Sequence, residues 1–311
     1  MIQKKLLTAV FVLCASVSLL HAQSGKEFSI PLDALKSWAE NPTAMLNVKV
    51  TGHSRVHPVE NDCEMHLGGQ VTSYNGDPDG WVLEPMNVCV EPLPGTTTYS
   101  KAAWVRFADS LKNRTVTAKG IPRIWPEHLT SSGASNPAHA VELHPLLTLS
   151  DTGKSYDFSK LVYAPEGFSG GLKPETVTNI LTGTTVSVTE SEGRVNVNFE
   201  SGRIGNFTTL SVRVLLATAE EINGSHRMDG EVILSQNQKV SVRLLTAAGS
   251  GINNTIAQLK QKGRKTATYD FLVLFSLDPV ALYNAAKESK GQTVEVNKPL
   301  QLIVYGEGQP E

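Results

Sequence analysis

Residues 46–67, LNVKVTGHSRVHPVENDCEMHL, decide the fold class of this chain. In residues 46–51 apolar and polar side chains alternate, which is the period of a half-buried β-strand. Gly52 ends this run, and a second strand is predicted from Asp62 to Leu67. Short runs rich in Val, Thr and Leu recur along the rest of the chain, whereas aromatic residues make up only 6% of it. We therefore expect a mainly β protein.

The pattern in this stretch occurs a second time further along the chain. The first copy reads GHSRVHP at residues 52–58 with EMH at 64–66, and the second reads GIPRIWP at 120–126 with ELH at 142–144. Gly, Arg, an apolar residue, Pro, Glu and His follow one another in the same order in both copies. This repetition predicts two β units that present an equivalent Glu-x-His pair.

Each Glu-x-His pair is predicted to lie on one face of a strand, because side chains two residues apart point the same way. Glu64 and His66 would then lie about 6.5–7 Å apart along one strand, as would Glu142 and His144 along the other. Neutral imidazole together with carboxylate suits a divalent metal ion, and a His–Glu pair can also position a water molecule. His128 is a further candidate ligand.

A structural role is the alternative for these pairs, because Arg55 and Arg123 are available in the two copies to form ion pairs with the glutamates. The sequence contains neither H-E-x-x-H nor H-x-H, and a specific metal assignment would require a motif of that kind. No cofactor is therefore expected, with a divalent metal ion kept as the alternative. Asp62 and Trp125 would lie at the rim of the candidate surface, and Trp81 would support the first copy.

Cys63 and Cys89 are the two cysteines outside the N-terminal apolar segment. An exported protein passes through an oxidising compartment, so a disulfide between them is expected. In the chain-entropy model, closing a loop of this length stabilises the fold by about 3 kcal/mol. Zinc ligation is the alternative, but the spacing does not match the C-x2-C pairs that such sites use.

The N-terminal residues 1–23 have the features of a signal peptide. Lys4 and Lys5 precede an apolar stretch from Leu6 to Leu20, and small or polar residues follow around Ala22, where we expect cleavage. The apolar stretch is shorter than the roughly 20 residues of a membrane-spanning helix, and no stop-transfer segment follows in the mature chain. These features predict a periplasmic or secreted protein.

The mature chain is predicted to form two domains. Residues 24–150 are expected to form an OB-like β-barrel carrying the disulfide, and residues 151–311 a β-sandwich or a second barrel with two short helices. Helical spacing and capping residues place these helices near 254–262 and at 279–289. Residues 99–111 fit either a strand or a helix.

The two copies resemble a family of uncharacterised exported bacterial proteins in which a strand ending in Gly leads, through a loop, to a D-x-H or E-x-H-P strand on an OB-like barrel. The resemblance covers residues 46–150 and rests on short motifs. It implies a binding module that uses one barrel face and its loops for a ligand. The matching residues are Gly52, Asp62, Glu64 and His66 in the first copy, and Gly120, Trp125, His128, Glu142, His144 and Pro145 in the second.

The formal net charge of −2 argues against nucleic-acid binding, which normally needs a basic surface. The sequence favours a non-catalytic binding or assembly module of the cell envelope, whose partner would be a protein or small-molecule ligand that the sequence does not identify. A metal-dependent hydrolase that uses the paired Glu-x-His strands is the alternative. Polysaccharide binding would need an exposed aromatic platform, which only Trp81, Trp104 and Trp125 could supply.

Overall fold

The structure, a computed structural model, describes residues 25–307 except residues 73, 75, 170 and 236. The predicted signal peptide and its cleavage site lie outside the described residues. The strands are β1 Lys26–Pro31, β2 Ala44–His53, β3 Leu67–Val71, β4 Gly80–Leu83, β5 Thr115–Ile124, β6 Ser132–Gly133, β7 Asn136–Pro137, β8 Val141–Asp151, β9 Lys154–Asp157, β10 Thr185–Ser191, β11 Arg194–Glu200, β12 Phe207–Ile222, β13 Ser225–Ser235, β14 Gln238–Thr246, β15 Ala267–Leu277, β16 Val294–Glu295 and β17 Leu300–Glu307. The α-helices are α1 Leu32–Glu40, α2 Lys101–Leu111, α3 Pro174–Gly183, α4 Gly251–Gln261 and α5 Pro279–Ser289.

The first barrel consists of β2, β3, β4, β8 and β5, which pair in this order and close because β4 also pairs with β8. Its neighbouring strands are antiparallel except β4 and β8, which run parallel where Leu83 meets Leu143. This Greek-key arrangement of five strands is that of an OB-like barrel. The predicted alternation in β2 is confirmed, since Val48 and Val50 are fully buried in the core.

Residues 99–111, for which the sequence left two choices open, contain the helix α2. Ser100 caps it, because the Ser100 hydroxyl accepts a hydrogen bond from the Ala103 N–H. Trp104, Phe107, Ala108 and Leu111 are buried along one side of the helix, at the spacing of an amphipathic helix. α2 connects the third strand of the barrel to the fourth.

The second barrel has the same strand order as the first. The strands pair in the closed order β12, β13, β14, β17 and β15, and the parallel pair is β14 with β17. The structure therefore decides between the two predicted architectures for the C-terminal half in favour of a barrel. The two predicted helices are confirmed as α4 and α5, and Asp278 caps α5 by accepting a hydrogen bond from the Val280 N–H.

A third sheet joins the N-terminal end of the chain to its C-terminal half. β1 pairs with β11, which pairs with β10, and β10 pairs with the short β16. α1 packs against α5, and Arg227 of the second barrel donates hydrogen bonds to the carbonyls of Trp38 and Ala39 in the last turn of α1. The N-terminal residues of the described chain are thus held by elements from residues 194 onward.

The two barrels pack directly against each other through apolar side chains and hydrogen bonds. Ile121 and Leu147 of the first barrel belong to one buried cluster with Leu272 and Ile303 of the second. Arg123 Nε donates to the Phe275 carbonyl at 2.7 Å, and the Ile124 N–H donates to Ser276 Oγ at 3.1 Å. The C-terminal end of β5 therefore lies at the junction of the barrels.

The strand predicted from Asp62 to Leu67 is wrong up to residue 66. Residues 62–66 form a turn and an irregular segment, because Cys63 has a φ of 56°, which a strand cannot accommodate. β8 passes through Pro145 and continues to Asp151, because its C-terminal half pairs with β5 and β9.

The predicted disulfide is confirmed. Cys63 and Cys89 are bonded, with their Cα atoms 5.1 Å apart, so that the loop after β2 is tied to the segment after β4. No helix within the described ranges is long and apolar enough to span a membrane.

Candidate functional site: a buried glutamate–histidine cluster

Three glutamates from different parts of the first barrel meet at one imidazole ring. His144 Nε2 lies 2.8 Å from Glu64 Oε1, while His144 Nδ1 lies 2.5 Å from Glu84 Oε2 and 3.2 Å from Glu142 Oε1. All four residues are between 0% and 3% exposed. We call these four residues the His144 cluster.

Pairing of the third and fifth barrel strands brings Glu84 to His144. Leu83 and Leu143 are partners in the parallel pair of β4 and β8, and the residues that follow them are Glu84 and His144. The Glu84 N–H donates to the Leu143 carbonyl at 3.0 Å, and the Glu84 carbonyl accepts from the Leu146 N–H at 2.9 Å. The backbone of Glu84 is therefore fixed on both sides.

Glu64 reaches the cluster from the loop between β2 and β3. This loop is closed by two backbone hydrogen bonds of 2.9 Å, from the His57 N–H to the Glu64 carbonyl and from the Ser54 N–H to the His66 carbonyl. The neighbouring Cys63 adds the covalent tie to Cys89.

A second layer of charged side chains surrounds Glu142. Arg123 forms a buried ion pair with Glu142 Oε1, and His139 Nε2 lies 3.1 Å from Glu142 Oε2. His128 does not reach the cluster, because it stacks on His139 with the ring centroids 5.1 Å apart. Arg123 also bonds to the Phe275 carbonyl and so connects this layer to the second barrel.

On the opposite side the cluster continues toward the surface. His66 Nε2 lies 3.3 Å from Glu84 Oε1, and the His66 side chain is 17% exposed. The rings of His66 and His57 meet edge to face at 4.9 Å, and His57 Nδ1 lies 2.8 Å from Asp62 Oδ1. Asp62 Oδ1 also accepts a hydrogen bond from the Glu64 N–H at 3.2 Å.

The charges in the cluster separate the pKa values of its members. Burial opposes the charged form of His144, but the neighbouring Glu64 and Glu84 carboxylates outweigh it and raise the pKa of His144 well above 6.5. Burial and the Glu142 charge act to raise the pKa of Glu84, but His144 and His66 outweigh both and lower it to about 2.

Glu142 and Glu64 are shifted in opposite directions. Burial acts to raise the pKa of Glu142, but the ion pair with Arg123 and the hydrogen bonds from His139 and His144 hold it well below 4.5. Burial raises the pKa of Glu64 to about 8, because His144 compensates only part of the desolvation of this carboxylate. Glu64 is thus the one carboxylate of the cluster whose charge is poorly compensated.

Three overlapping groups of side chains have the composition and spacing of a metal site. In each group the candidate ligand atoms lie within 4.8 Å of one another. Glu84 belongs to two of the groups and His66 to two. The groups are Glu84–Glu142–His144, Glu64–His66–Glu84 and His57–Asp62–His66.

The structure brings together most of the site residues predicted from the sequence, but not as two equivalent surfaces. Glu64 and Glu142 each contact His144, and His66 joins them through Glu84. The two copies of the motif lie in dissimilar surroundings, because residues 55–58 belong to an irregular loop whereas residues 120–124 belong to β5.

The predicted rim position of Trp125 is wrong. Trp125 is 2% exposed, stacks on Phe275 of the second barrel and donates a hydrogen bond to the Gly205 carbonyl. Trp81 and Trp104 are also fully buried, so that the aromatic platform considered for polysaccharide binding does not form.

Glu84 and His139 are members of the site that sequence reasoning missed. Glu84 belongs to no sequence motif, and its role depends on which strand pairs with β4. A glutamate that directly follows the third strand of an OB-like barrel lies beside the fifth strand, and this is the signal that could have identified it. His139 could have been suspected from its position three residues before Glu142.

A groove of about 500 Å³ opens on the first barrel beside the outer end of the cluster. It is lined by residues 55–60 of the loop between β2 and β3, together with Cys89, Val90, Tyr99 and Lys101. His57 belongs both to this lining and to the hydrogen-bonded chain that leads inward through Asp62. No member of the His144 cluster lines the groove.

No family model, curated protein or solved structure matches the chain.

Proposed function

We propose that the protein is an exported, non-catalytic binding module of the cell envelope that holds a ligand in the groove on its first barrel. The observation that carries this proposal is the position of the groove. It lies against the loop that joins the first two strands, and OB-like barrels use this loop to bind ligands. The disulfide between Cys63 and Cys89 fits a protein that passes through an oxidising compartment.

The chemistry of the groove favours a ligand with an apolar part and an acidic group. Val90 and Tyr99 are 45% and 39% exposed, and they are two of the three large hydrophobic side chains that are exposed among the described residues. Arg55 and Lys101 place two cationic side chains in the same lining, against the single carboxylate of Glu60. A small molecule or peptide segment with a carboxylate beside an apolar chain matches this arrangement.

The wall of the groove is held by the cluster behind it. The His57 N–H donates to the Glu64 carbonyl, and Cys89 of the lining is bonded to Cys63 next to Glu64. A preformed wall lowers the entropic cost of binding, because fewer side chains and loops become ordered when the ligand arrives.

Burial of the cluster favours this function over the metal-dependent hydrolase. A hydrolase needs a substrate bond within hydrogen-bond reach of its acid and base groups. His144 and Glu142 are 0% and 3% exposed, and their polar atoms are bonded to Glu64, Glu84, Arg123 and His139. Both side chains are therefore buried and already paired, and neither is placed to contact a substrate bond.

An NMR titration of the mature protein tests the proposal. We expect octanoate to shift the backbone amide signals of the non-proline residues in 55–60 and 89–101, whereas octanol, which lacks the charge, binds at least tenfold more weakly. The Arg55→Ala, Lys101→Ala double variant should lose the preference for octanoate, and Lys112→Ala, which removes an exposed lysine outside the groove, should keep it. Equal binding of both probes, or shifts located elsewhere, would overturn the proposal.

A further inference from the structure

We propose that Glu64, His66 and Glu84 form a binding site for one divalent transition-metal ion, with Zn²⁺ as the preferred ion. The site lies at the outer side of the His144 cluster, behind the groove. It is independent of the ligand proposed for the groove, since none of the three residues lines that groove.

The three side chains are already close to the geometry that a metal ion requires. Their candidate ligand atoms lie within 4.8 Å of one another, and His66 Nε2 is 3.3 Å from Glu84 Oε1. Metal–ligand bonds of about 2.0–2.2 Å place the ligand atoms of a tetrahedral site about 3.4 Å apart. Small side-chain rotations would therefore complete the site without movement of the barrel strands.

One of the two carboxylate ligands has a buried oxygen atom without a hydrogen-bond partner among the described residues. Glu64 Oε1 accepts from His144, but Glu64 Oε2 has no hydrogen-bond partner among the described residues, although Glu64 is only 1% exposed. A buried carboxylate oxygen is normally bonded, and one that is not calls for a ligand. A metal ion would coordinate this oxygen and compensate the charge of Glu64.

His144 is placed as the outer partner of both carboxylate ligands. Its Nε2 contacts Oε1 of Glu64 and its Nδ1 contacts Oε2 of Glu84, so that each glutamate keeps its other oxygen available. The available oxygen of Glu84 is the one that faces His66. Hydrogen bonds of this kind orient metal-binding carboxylates and fix their rotamers.

The two competing groups of side chains are less suitable. In Glu84–Glu142–His144, Glu142 is held by Arg123 and His139, and both ring nitrogens of His144 contact carboxylates. A cation there would have to displace the guanidinium. In His57–Asp62–His66, Asp62 Oδ1 is shared between His57 and the Glu64 N–H.

The types of ligand select the class of ion, and the exposure of His66 lets the ion reach the site from solvent. One imidazole and two carboxylates favour Zn²⁺ over Mg²⁺ or Ca²⁺, which bind through oxygen ligands, and Zn²⁺ binds more tightly than Mn²⁺ at such sites. The partly exposed His66 gives an ion a route to the two buried carboxylates.

Calorimetry on the metal-stripped mature protein tests the site, with Zn²⁺ and Mg²⁺ as probes. We expect one Zn²⁺ per chain and no measurable Mg²⁺ binding. Glu84→Gln, Glu64→Gln and His66→Ala should each lower the Zn²⁺ affinity at least tenfold. Glu60→Gln and His53→Ala, which change a glutamate and a histidine of the same region outside the site, should leave it unchanged.

Circular dichroism of each variant shows whether it is folded, and the partly exposed His66 provides a variant that does not disturb the core. Absence of Zn²⁺ binding to the folded wild-type protein would overturn the proposal. The proposal would also be overturned if Glu84→Gln left the Zn²⁺ affinity unchanged while Asp62→Asn lowered it. The ion would then be held by the His57–Asp62–His66 group.

Discussion

Replacement of Arg123 by methionine is the most informative change to the folded protein. Arg123 is 1% exposed, forms the buried ion pair with Glu142 and donates to the Phe275 carbonyl across the barrel junction. Removing one partner of a buried pair typically costs about 3–5 kcal/mol, because the remaining charge stays buried. His139 and His144 still contact Glu142, so we expect a loss at the lower end of that range, about 3 kcal/mol.

Urea unfolding of the mature protein, followed by circular dichroism, measures this loss. Arg55→Met is the matched control, because Arg55 occupies the same position in the first copy of the motif but is exposed in the groove. A surface change of this kind alters the free energy of unfolding by less than about 0.5 kcal/mol. The double variant Arg123→Met, Glu142→Met should regain at least about 1 kcal/mol relative to the sum of the single changes, because contacting residues couple. Equal effects of the two arginine changes would refute this account.

Three further predictions concern the disulfide, the acid stability and the barrel junction. The Cys63→Ala, Cys89→Ala double variant should lose about 3.5 kcal/mol of unfolding free energy, the value that the chain-entropy relation gives for a separation of 26 residues. A loss below about 1 kcal/mol in urea unfolding would contradict this prediction. The pKa of Glu142 is lowered in the folded protein, so its contribution to stability is complete above about pH 4.5 and is lost as the pH falls toward its folded pKa. The Glu142→Gln variant should therefore be less stable than the wild type at pH 7 and should lose less stability between pH 4.5 and pH 2. If the unfolding free energies of the two proteins fall in parallel over this pH range, the prediction is wrong. Ser276→Ala should cost about 1–3 kcal/mol, because it leaves the Ile124 N–H buried without its acceptor, whereas Ser276→Thr should retain most of that stability in the same assay.

The fold class could be predicted because the strands carry local signals. Alternation of apolar and polar residues identified β2, and the sequence Asp278-Pro279 identified the start of α5. The strand predicted at residues 62–66 failed because its alternation is cancelled by a turn. The Cys63 N–H bonds back to the Pro58 carbonyl, and Cys63 itself adopts a left-handed conformation. A period-two pattern does not reveal such a turn.

The site could be predicted only in part, because it depends on contacts between distant segments. Glu64 and His144 are 80 residues apart in the sequence and were identified only through a shared motif. Glu84 carries no motif, and its place beside His144 follows from the parallel pairing of β4 with β8. Trp125 was misplaced for a similar reason, because the second barrel supplies the Phe275 ring that covers it.

The protonation state of the His144 ring shows whether three glutamates converge on it in the folded protein. In metal-free mature protein labelled with ¹⁵N-histidine, we expect both ring nitrogens of His144 to stay protonated as the pH rises through 6.5, because the neighbouring Glu64 and Glu84 carboxylates raise the pKa of His144 well above that value. A His144 ring that loses its proton near the usual pH of 6.5 would contradict the account.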